Sequence, residues 1–359
     1  MLIKLTILPG DGIGPEVTEQ AVLVLQAVAD VFGHQLQLLH KNIGGAALAA
    51  VNDPLPPETI KACLASSAVL MGAVGNPAFD HNPNHLRPEA GLLRLRRELG
   101  VYANLRPAIS FPALEDSSPL RPELIRGTNI MIVRELLGGL YFGEPRSIQG
   151  PPGARIATNT MTYGEDAIER IACIAFELAL KRRRKVLSVD KANVLECSRL
   201  WREVVVRCAK DYPTVQLSHM YVDSAAMSLV LRPKDFDVVL TENMFGDILS
   251  DQAGGVVGSL GLLASASIGG TVGLYEPVHG SAPDIAGKGI ANPLGAILSV
   301  ALMLRHTFQL EREAVCIEKA VNSVLAQGSR TADLSHAGMP SIKTSAMGNI
   351  VIKAIKTAE

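Results

Sequence analysis

Thr241-Glu242-Asn243-Met244-Phe245-Gly246-Asp247-Ile248-Leu249-Ser250-Asp251 follows a short apolar run, Phe236-Asp237-Val238-Val239-Leu240. The run reads as a buried strand, and a helix beginning near Asn243 would follow it directly. On such a helix Asp247 and Asp251 share one face, with roughly 5–6 Å between their Cβ atoms. Carboxylates that close repel unless positive charge lies between them, and a hard divalent cation held through oxygen ligands would supply it. Two acids favoured by the helix dipole are the other reading. The pair alone does not choose between them.

Bulk properties narrow the field. A chain of 359 residues has room for two ordinary domains. Hydrophobic content of 48% with 19% charged residues indicates a well-cored protein. The net charge of −1 gives no electrostatic reason to expect a nucleic-acid or membrane partner. The opening residues, Met1 to Leu8, lack the long apolar core and cleavage site of a signal peptide. No apolar run reaches the ~20 residues needed to span a bilayer. The five cysteines are scattered without metal-type spacing, so the expected setting is a reducing cytoplasm.

Working outward, strand and helix patterns alternate along the chain, which points to α/β layers. A strand over 2–8 enters the turn Pro9-Gly10-Asp11-Gly12-Ile13-Gly14-Pro15-Glu16, followed by a helix over 15–32. The Rossmann fingerprint G-x-G-x-x-G would need glycine where Pro15 stands, which argues against an ordinary Rossmann site. A strand over 35–40, a helix over 57–64 and a strand over 68–73 follow. On a helix over 88–99, Glu89, Leu92, Leu93 and Arg96 share a face while Arg94 points to solvent. That face suits either a ligand with an apolar and a carboxylate end or plain leucine packing. Strands over 101–107 and 129–135 carry Arg106 and Arg134. With Arg96, these guanidinium groups suggest a polyanion site.

The stretch 137–163 is glycine- and threonine-rich and reads as a hairpin arm suited to pairing with another subunit. Beyond the helix at 165–181, the run Lys181-Arg182-Arg183-Arg184-Lys185 reads as cations complementing a helix C-terminus. Lys191 lies just past the strand 186–190, as a general base or a surface residue. A helix covers 198–212. His219-Met220-Tyr221-Val222-Asp223 reads as a strand ending in a third possible metal carboxylate. Residues 275–287 read as a ligand loop, and helices are expected over 292–306, 314–326 and from about 345.

Taken together, Leu8-Pro9-Gly10-Asp11-Gly12-Ile13-Gly14-Pro15-Glu16, Asn104-Leu105-Arg106-Pro107, Val133-Arg134-Glu135, Asp190-Lys191-Ala192-Asn193-Val194, Asn243 to Asp251 and His279-Gly280-Ser281-Ala282-Pro283-Asp284 resemble the isocitrate/isopropylmalate dehydrogenase family of β-decarboxylating dehydrogenases. The match runs nearly the whole chain in order. Gly91-Leu92-Leu93-Arg94-Leu95-Arg96 and Gly138-Gly139-Leu140-Tyr141-Phe142-Gly143 resemble the isopropylmalate branch. Leu137 and Glu242 depart from residues common in that family, threonine and glycine respectively.

The resemblance implies a two-domain, non-Rossmann α/β fold with a β arm for dimerisation. Residues 1–100 plus 258–359 would form the first domain and 101–257 the second. It implies oxidative decarboxylation of 3-isopropylmalate with NAD and Mg²⁺ or Mn²⁺ in leucine biosynthesis. A sibling activity on D-malate, tartrate or homoisocitrate, and a non-catalytic regulatory subunit, are the alternatives. Arg96, Arg106 and Arg134 would clamp substrate carboxylates, with Leu92, Leu93, Asn193 and Val194 near the isopropyl group. Asp247 and Asp251 would hold the cation together with Asp223 of a second copy. Lys191, also from that copy, would take the hydroxyl proton, and Tyr141 would donate one. Glu276, His279, Gly280, Ser281, Ala282, Asp284, Ile285 and Asn292 would line the cofactor. A homodimer with shared sites follows, so isolated monomers should be inactive.

Overall fold

In β1 (Leu2–Gly10), Ile3, Leu5 and Ile7 alternate onto one buried face. β1 pairs in parallel with β2 (Gln35–His40) and β3 (Ala68–Ala73), and α1 (Gly14–Phe32) makes the crossover. The structure, a computed structural model, describes residues 1–258, 260–335 and 340–357. Ser259, 336–339 and 358–359, which fall in the expected first domain, lie outside the described residues. Next come α2 (Gly45–Val51), which no periodicity announced, α3 (Pro57–Leu64) and α4 (Pro88–Leu99). Then follow β4 (Ala103–Ile109), α5 (Pro122–Ile125), β5 (Asn129–Glu135) and the short antiparallel pair β6 (Ser147–Gln149) and β7 (Ile156–Thr158).

The second half runs α6 (Glu165–Leu180), β8 (Lys185–Asp190), α7 (Glu196–Cys208), β9 (Gln216–Tyr221), α8 (Val222–Leu231), β10 (Val238–Thr241) and α9 (Asn243–Val257). β11 (Ala264–Ile268), β12 (Gly273–Pro277), α10 (Leu294–His306), α11 (Glu311–Ala326) and α12 (Thr344–Thr357) complete it. One ten-stranded sheet has the order β2-β1-β3-β12-β11-β4-β5-β10-β8-β9. Its two flanks are parallel, while β12-β11, β11-β4 and β4-β5 are antiparallel. That mixed centre separates the fold from an all-parallel Rossmann sheet.

Helices cover both faces. The largest apolar cluster lies under α1, α10, α11, α12, α6 and α7, and includes Leu105 and Val133 of the sheet centre. On the opposite face α3 and α4 pack one flank, while α8 and α9 pack the other. The candidate site lies on this second face, between α4 and α9, above the antiparallel strands. No described helix is long and apolar enough to cross a membrane.

Several expectations need correction. Tyr275 and Glu276 belong to β12, with Tyr275 fully buried, so the loop begins only after Pro277. Asp223 sits in the first turn of α8 rather than at a strand end. Arg94 folds back onto Asp53 at 2.9 Å instead of standing free in solvent. In the basic run, Arg182 bonds the buried Asp237 at 2.9 Å and the Asn129 carbonyl at 2.8 Å. Arg183 donates to the Lys234 and Phe236 carbonyls. The run therefore stitches α6 to the sheet end and satisfies a buried acid, which outweighs any dipole effect.

His306 ends α10 half-buried and is pushed down to about 4, first by burial and then by the charges of Arg305 and Lys181. An unfolded histidine titrates near about 6.5, so below that pH the unfolded chain takes the proton first. Stability from this group should therefore fall from about pH 6.5 and level off near 4. Urea unfolding across that window should show the slope, and His306→Gln should flatten it. An identical slope in the variant would assign the loss to other groups.

Candidate active site

α9 starts where Glu242 places its carboxylate over the helix N-terminus, accepting the Met244 and Phe245 N–H groups at 3.1 and 2.8 Å. This is N-capping by a buried acid. Glu242, flagged by sequence as a departure, thus has a structural task. One helical turn on, Asp247 and Asp251 share the face towards β4 and β5. Gly246 immediately precedes Asp247, and a Cβ there would come within 2.6 Å of the Arg134 Cγ. The glycine lets the Arg134 side chain lie flat on the helix.

The guanidinium groups expected to act together are together. Arg134 donates through Nε and Nη2 to the Asn243 Oδ1 at 3.0 and 2.7 Å, and through Nη1 to Asp247. Arg106 lies 3.3 Å from both Asp247 and Asp251, and donates to the Ser250 hydroxyl at 2.7 Å and the Asn104 amide oxygen at 2.7 Å. Arg96, from α4, pairs with Glu276 on β12 at 3.0 Å, and both are buried. Sequence reasoning had given these two to different ligands; the fold makes them one wall. Leu92 and Leu93 stand half-buried on the same helix.

Electrostatics follow from this crowding. Burial, then the neighbouring Arg106 charge, lowers Arg134 to about 10, which leaves it cationic at neutral pH. Burial alone would raise Asp247, but Arg134 and Arg106 outweigh it and hold the carboxyl below its usual range. Asp251 is raised, by burial and by Asp247, against the pull of Arg106. Tyr141 donates to Asp247 at 2.8 Å and lies under Arg134. Burial, followed by that bond and charge, pushes Tyr141 up to about 12, so it keeps its proton.

Lys191 and Asp223 form a separate pair, with Asn193 and Val194 exposed beside them. No hydrogen bond or ion pair joins this pair to the arginine cluster among the described residues. Likewise no group of three or more metal-binding side chains occurs there. Asp247 and Asp251 offer hard oxygen ligands one helical turn apart on one face of α9. They fit part of a Mg²⁺ or Mn²⁺ site.

The loop expected to line a cofactor follows β12. The His279 Nδ1 faces the Gly280 carbonyl at 3.0 Å, while its Nε2 is buried without a partner. Such an orphaned polar atom fits a dinucleotide group packed against it. Ser281 accepts the Ile13 N–H at 2.8 Å, locking this loop to the β1–α1 turn. Ala282 has φ 39, Asp284 is exposed, and Ile285 is half-buried. Asn292 is already committed, donating to Asp333 at 3.0 Å and accepting the Leu294 N–H at 3.0 Å. Sequence reasoning missed Asp11, whose buried carboxylate accepts N–H groups from Gly45, Ala46 and Gly75 at 2.8, 2.8 and 2.9 Å. An acid between two glycines was its only signal.

A family model described as isocitrate/isopropylmalate dehydrogenase matches residues 4–351. This chain belongs to the isocitrate/isopropylmalate dehydrogenase family. Members similar to it include the 3-isopropylmalate dehydrogenase of Aquifex aeolicus, 52% identical across 98% of this chain and 97% of that one. That of Priestia megaterium is 56% identical across 93% and 91%. Among solved structures, isocitrate dehydrogenase from Methylococcus capsulatus aligns with TM-score 0.89 and 37% identity, covering 99% of this chain and 100% of that one. A β-decarboxylating dehydrogenase from Thermococcus kodakarensis aligns at 0.78 and 36%, covering 99% and 96%. The family's dehydrogenase character implies a nicotinamide cofactor and a divalent metal.

Gly246→Ala should destabilise the protein by about 1–3 kcal/mol, because the new methyl overpacks against a buried guanidinium stem. Urea unfolding measures it. An unchanged midpoint would mean that Arg134 is not held against α9.

Proposed function

We propose that this chain oxidises and decarboxylates (2R,3S)-3-isopropylmalate to 4-methyl-2-oxopentanoate and CO₂ with NAD, a step of leucine biosynthesis. The carrying observation is the cluster of Arg96, Arg106 and Arg134 against Asp247 and Asp251, with a protonated Tyr141 on Asp247. It occurs in a chain 52% identical to a 3-isopropylmalate dehydrogenase over nearly its full length.

In this reading the arginines fix both substrate carboxylates by charge-assisted bonds, orienting C2 and C3. Leu92 and Leu93 meet the isopropyl group; a third carboxylate there would be buried against leucine, which disfavours isocitrate. Asp247 and Asp251, with Asp223 of a second copy, would hold Mg²⁺ or Mn²⁺, which would supply positive charge against the developing oxyanion, and a bound nicotinamide would supply the hydride acceptor. Lys191 of that copy accepts the C2 hydroxyl proton. Tyr141 returns a proton to C3 after the C3 carboxylate leaves as CO₂. Asp284, exposed on the cofactor loop, would accept ribose hydroxyls and repel a 2′-phosphate, which favours NAD over NADP.

The shared site is supported by what the single chain leaves open. Met227, Leu231 and Ile248 on α8 and α9 are exposed, as are Ile148 and Ile156 on the arm. Large apolar side chains on the elements next to Asp223 suit an interface between copies. The division into 1–100 with 258–359 and 101–257 belongs to the same proposal, the site lying between the two bodies.

NADH formation from 3-isopropylmalate, D-malate, tartrate, homoisocitrate and isocitrate, with Mg²⁺ or Mn²⁺ and an EDTA control, tests the substrate. 3-Isopropylmalate with NAD should lead the panel; faster turnover of another acid, or preference for NADP, would sink the assignment. Leu92→Ala should raise KM for 3-isopropylmalate more than for D-malate. Lys191→Ala and Arg134→Ala should each abolish turnover. Mixed and allowed to exchange subunits, they should recover about a quarter of parental activity, since half the random dimers carry one intact site. No recovery despite demonstrated exchange would refute shared sites.

A further inference from the structure

We propose that Asn243 is a positioning residue that couples the substrate-clamping Arg134 to the turn bearing Tyr141; the proposal rests on the function just given. Asn243 is 1% exposed. Oδ1 accepts the Arg134 Nε and Nη2 groups at 3.0 and 2.7 Å. Nδ2 donates to the Leu136 and Gly138 carbonyls, both at 3.1 Å. An asparagine amide offers two acceptor and two donor positions, and all four are used. No other uncharged side chain of that size presents acceptor and donor edges in this way.

The consequence is mechanical. The Leu136 and Gly138 carbonyls lie just before the turn Gly139–Tyr141. One amide thus fixes the guanidinium that would orient a substrate carboxylate and the backbone that aims the Tyr141 hydroxyl. The same residue is the first of α9, so it also sets where Asp247 begins.

Asn243 is itself held. Its N–H donates to the Tyr163 hydroxyl at 3.0 Å, and that hydroxyl donates to Glu242 at 3.2 Å. The Tyr163 ring presses on the turn from below. A Cβ at Gly138 would lie 2.6 Å from its Cε1, and one at Gly139 would lie 2.5 Å from its hydroxyl oxygen. Gly139 also has φ 72, a left-handed conformation that glycine adopts freely. The paired glycines before Tyr141 are therefore the imprint of Tyr163, and Tyr163 reports the position of Asn243.

Substitution can separate the two couplings. Asn243→Asp keeps an acceptor for Arg134 but turns a carboxylate oxygen onto two carbonyl oxygens, releasing the Tyr141 turn. Asn243→Ala releases both. With Mg²⁺ and NAD, Asn243→Asp should lower kcat about tenfold or more while KM for 3-isopropylmalate stays within about threefold. Asn243→Ala should add a rise in KM of about tenfold. KM for NAD should stay level in both. Emission of Trp201, whose ring lies 5.5 Å from Tyr163, should stay parental, showing that packing beneath the turn survives. Tyr163→Phe, which deletes one hydroxyl, should lower kcat in smaller measure, and serves if the Asn243 variants do not fold.

Unchanged kcat in the variants overturns the proposal. So does a loss accompanied by equal loss of NAD affinity and altered Trp201 emission, since that marks general packing. A parent inactive on 3-isopropylmalate sinks the proposed function and this coupling with it; an active parent with unaffected variants sinks the coupling alone.

Discussion

Three guanidinium groups buried against one sheet would be costly if nothing answered their charge. Arg96, Arg106 and Arg134 are each at most 8% exposed, and each is met by an acid: Glu276, the pair Asp247 and Asp251, and Asp247 again. That balance constrains much of the rest. It requires α4, β4, β5, α9 and β12 to converge, although they come from distant parts of the chain. It also leaves none of these three buried guanidinium groups without a counter-charge. In the proposed reaction the partners exchange: the arginines turn to substrate carboxylates while Asp247 and Asp251 turn to the divalent cation. The site therefore keeps near neutrality in both states, and neither ion need be buried alone.

The sheet explains why the convergence is possible. β4 lies antiparallel to both β5 and β11, with Leu105 opposite Val133 on one side and Ala266 on the other. Arg106 follows Leu105, so its side chain takes the opposite face from that core residue. Arg134 follows Val133 in the same manner. Alternation at the sheet centre thus sends the leucine and valine into the large core and the arginines into the site. A shift of register by one residue would bury the charges in the core and expose the aliphatic side chains.

How much of this was legible follows from how far apart the interacting residues lie. The four-residue spacing of Asp247 and Asp251 is local, and so are the limits of α3, which match the sequence reading at both ends. The arginine trio was legible as a chemical pattern, since three guanidinium groups near element ends suggest one anion. What stayed hidden was pairing across the fold. Arg96 and Glu276 are 180 positions apart, and nothing local assigns them to each other. Arg94 was expected in solvent because periodicity places it off the apolar face, yet Asp53 reaches it from another loop. Asp237 stood inside the apolar run 236–240 with no partner assigned; its full burial, which draws in Arg182, is visible only once α6 is packed. Tyr275 was read with the loop that follows because composition changes there gradually, whereas the sheet ends sharply at Pro277.

The second cluster, Lys191 with Asp223, stands apart from the arginine cluster in the single chain. In one chain the Lys191 Nζ is paired with Asp223 and meets none of the residues of the arginine cluster. In the proposed dimer Asp223 is drawn to the cation of the neighbouring site, and Lys191 moves from an open surface to a closed one. Assembly would then do more than supply missing residues. It would part Lys191 from Asp223 and bring it to the substrate of a second copy, which ties catalytic competence to the same contacts that would cover Met227, Leu231 and Ile248.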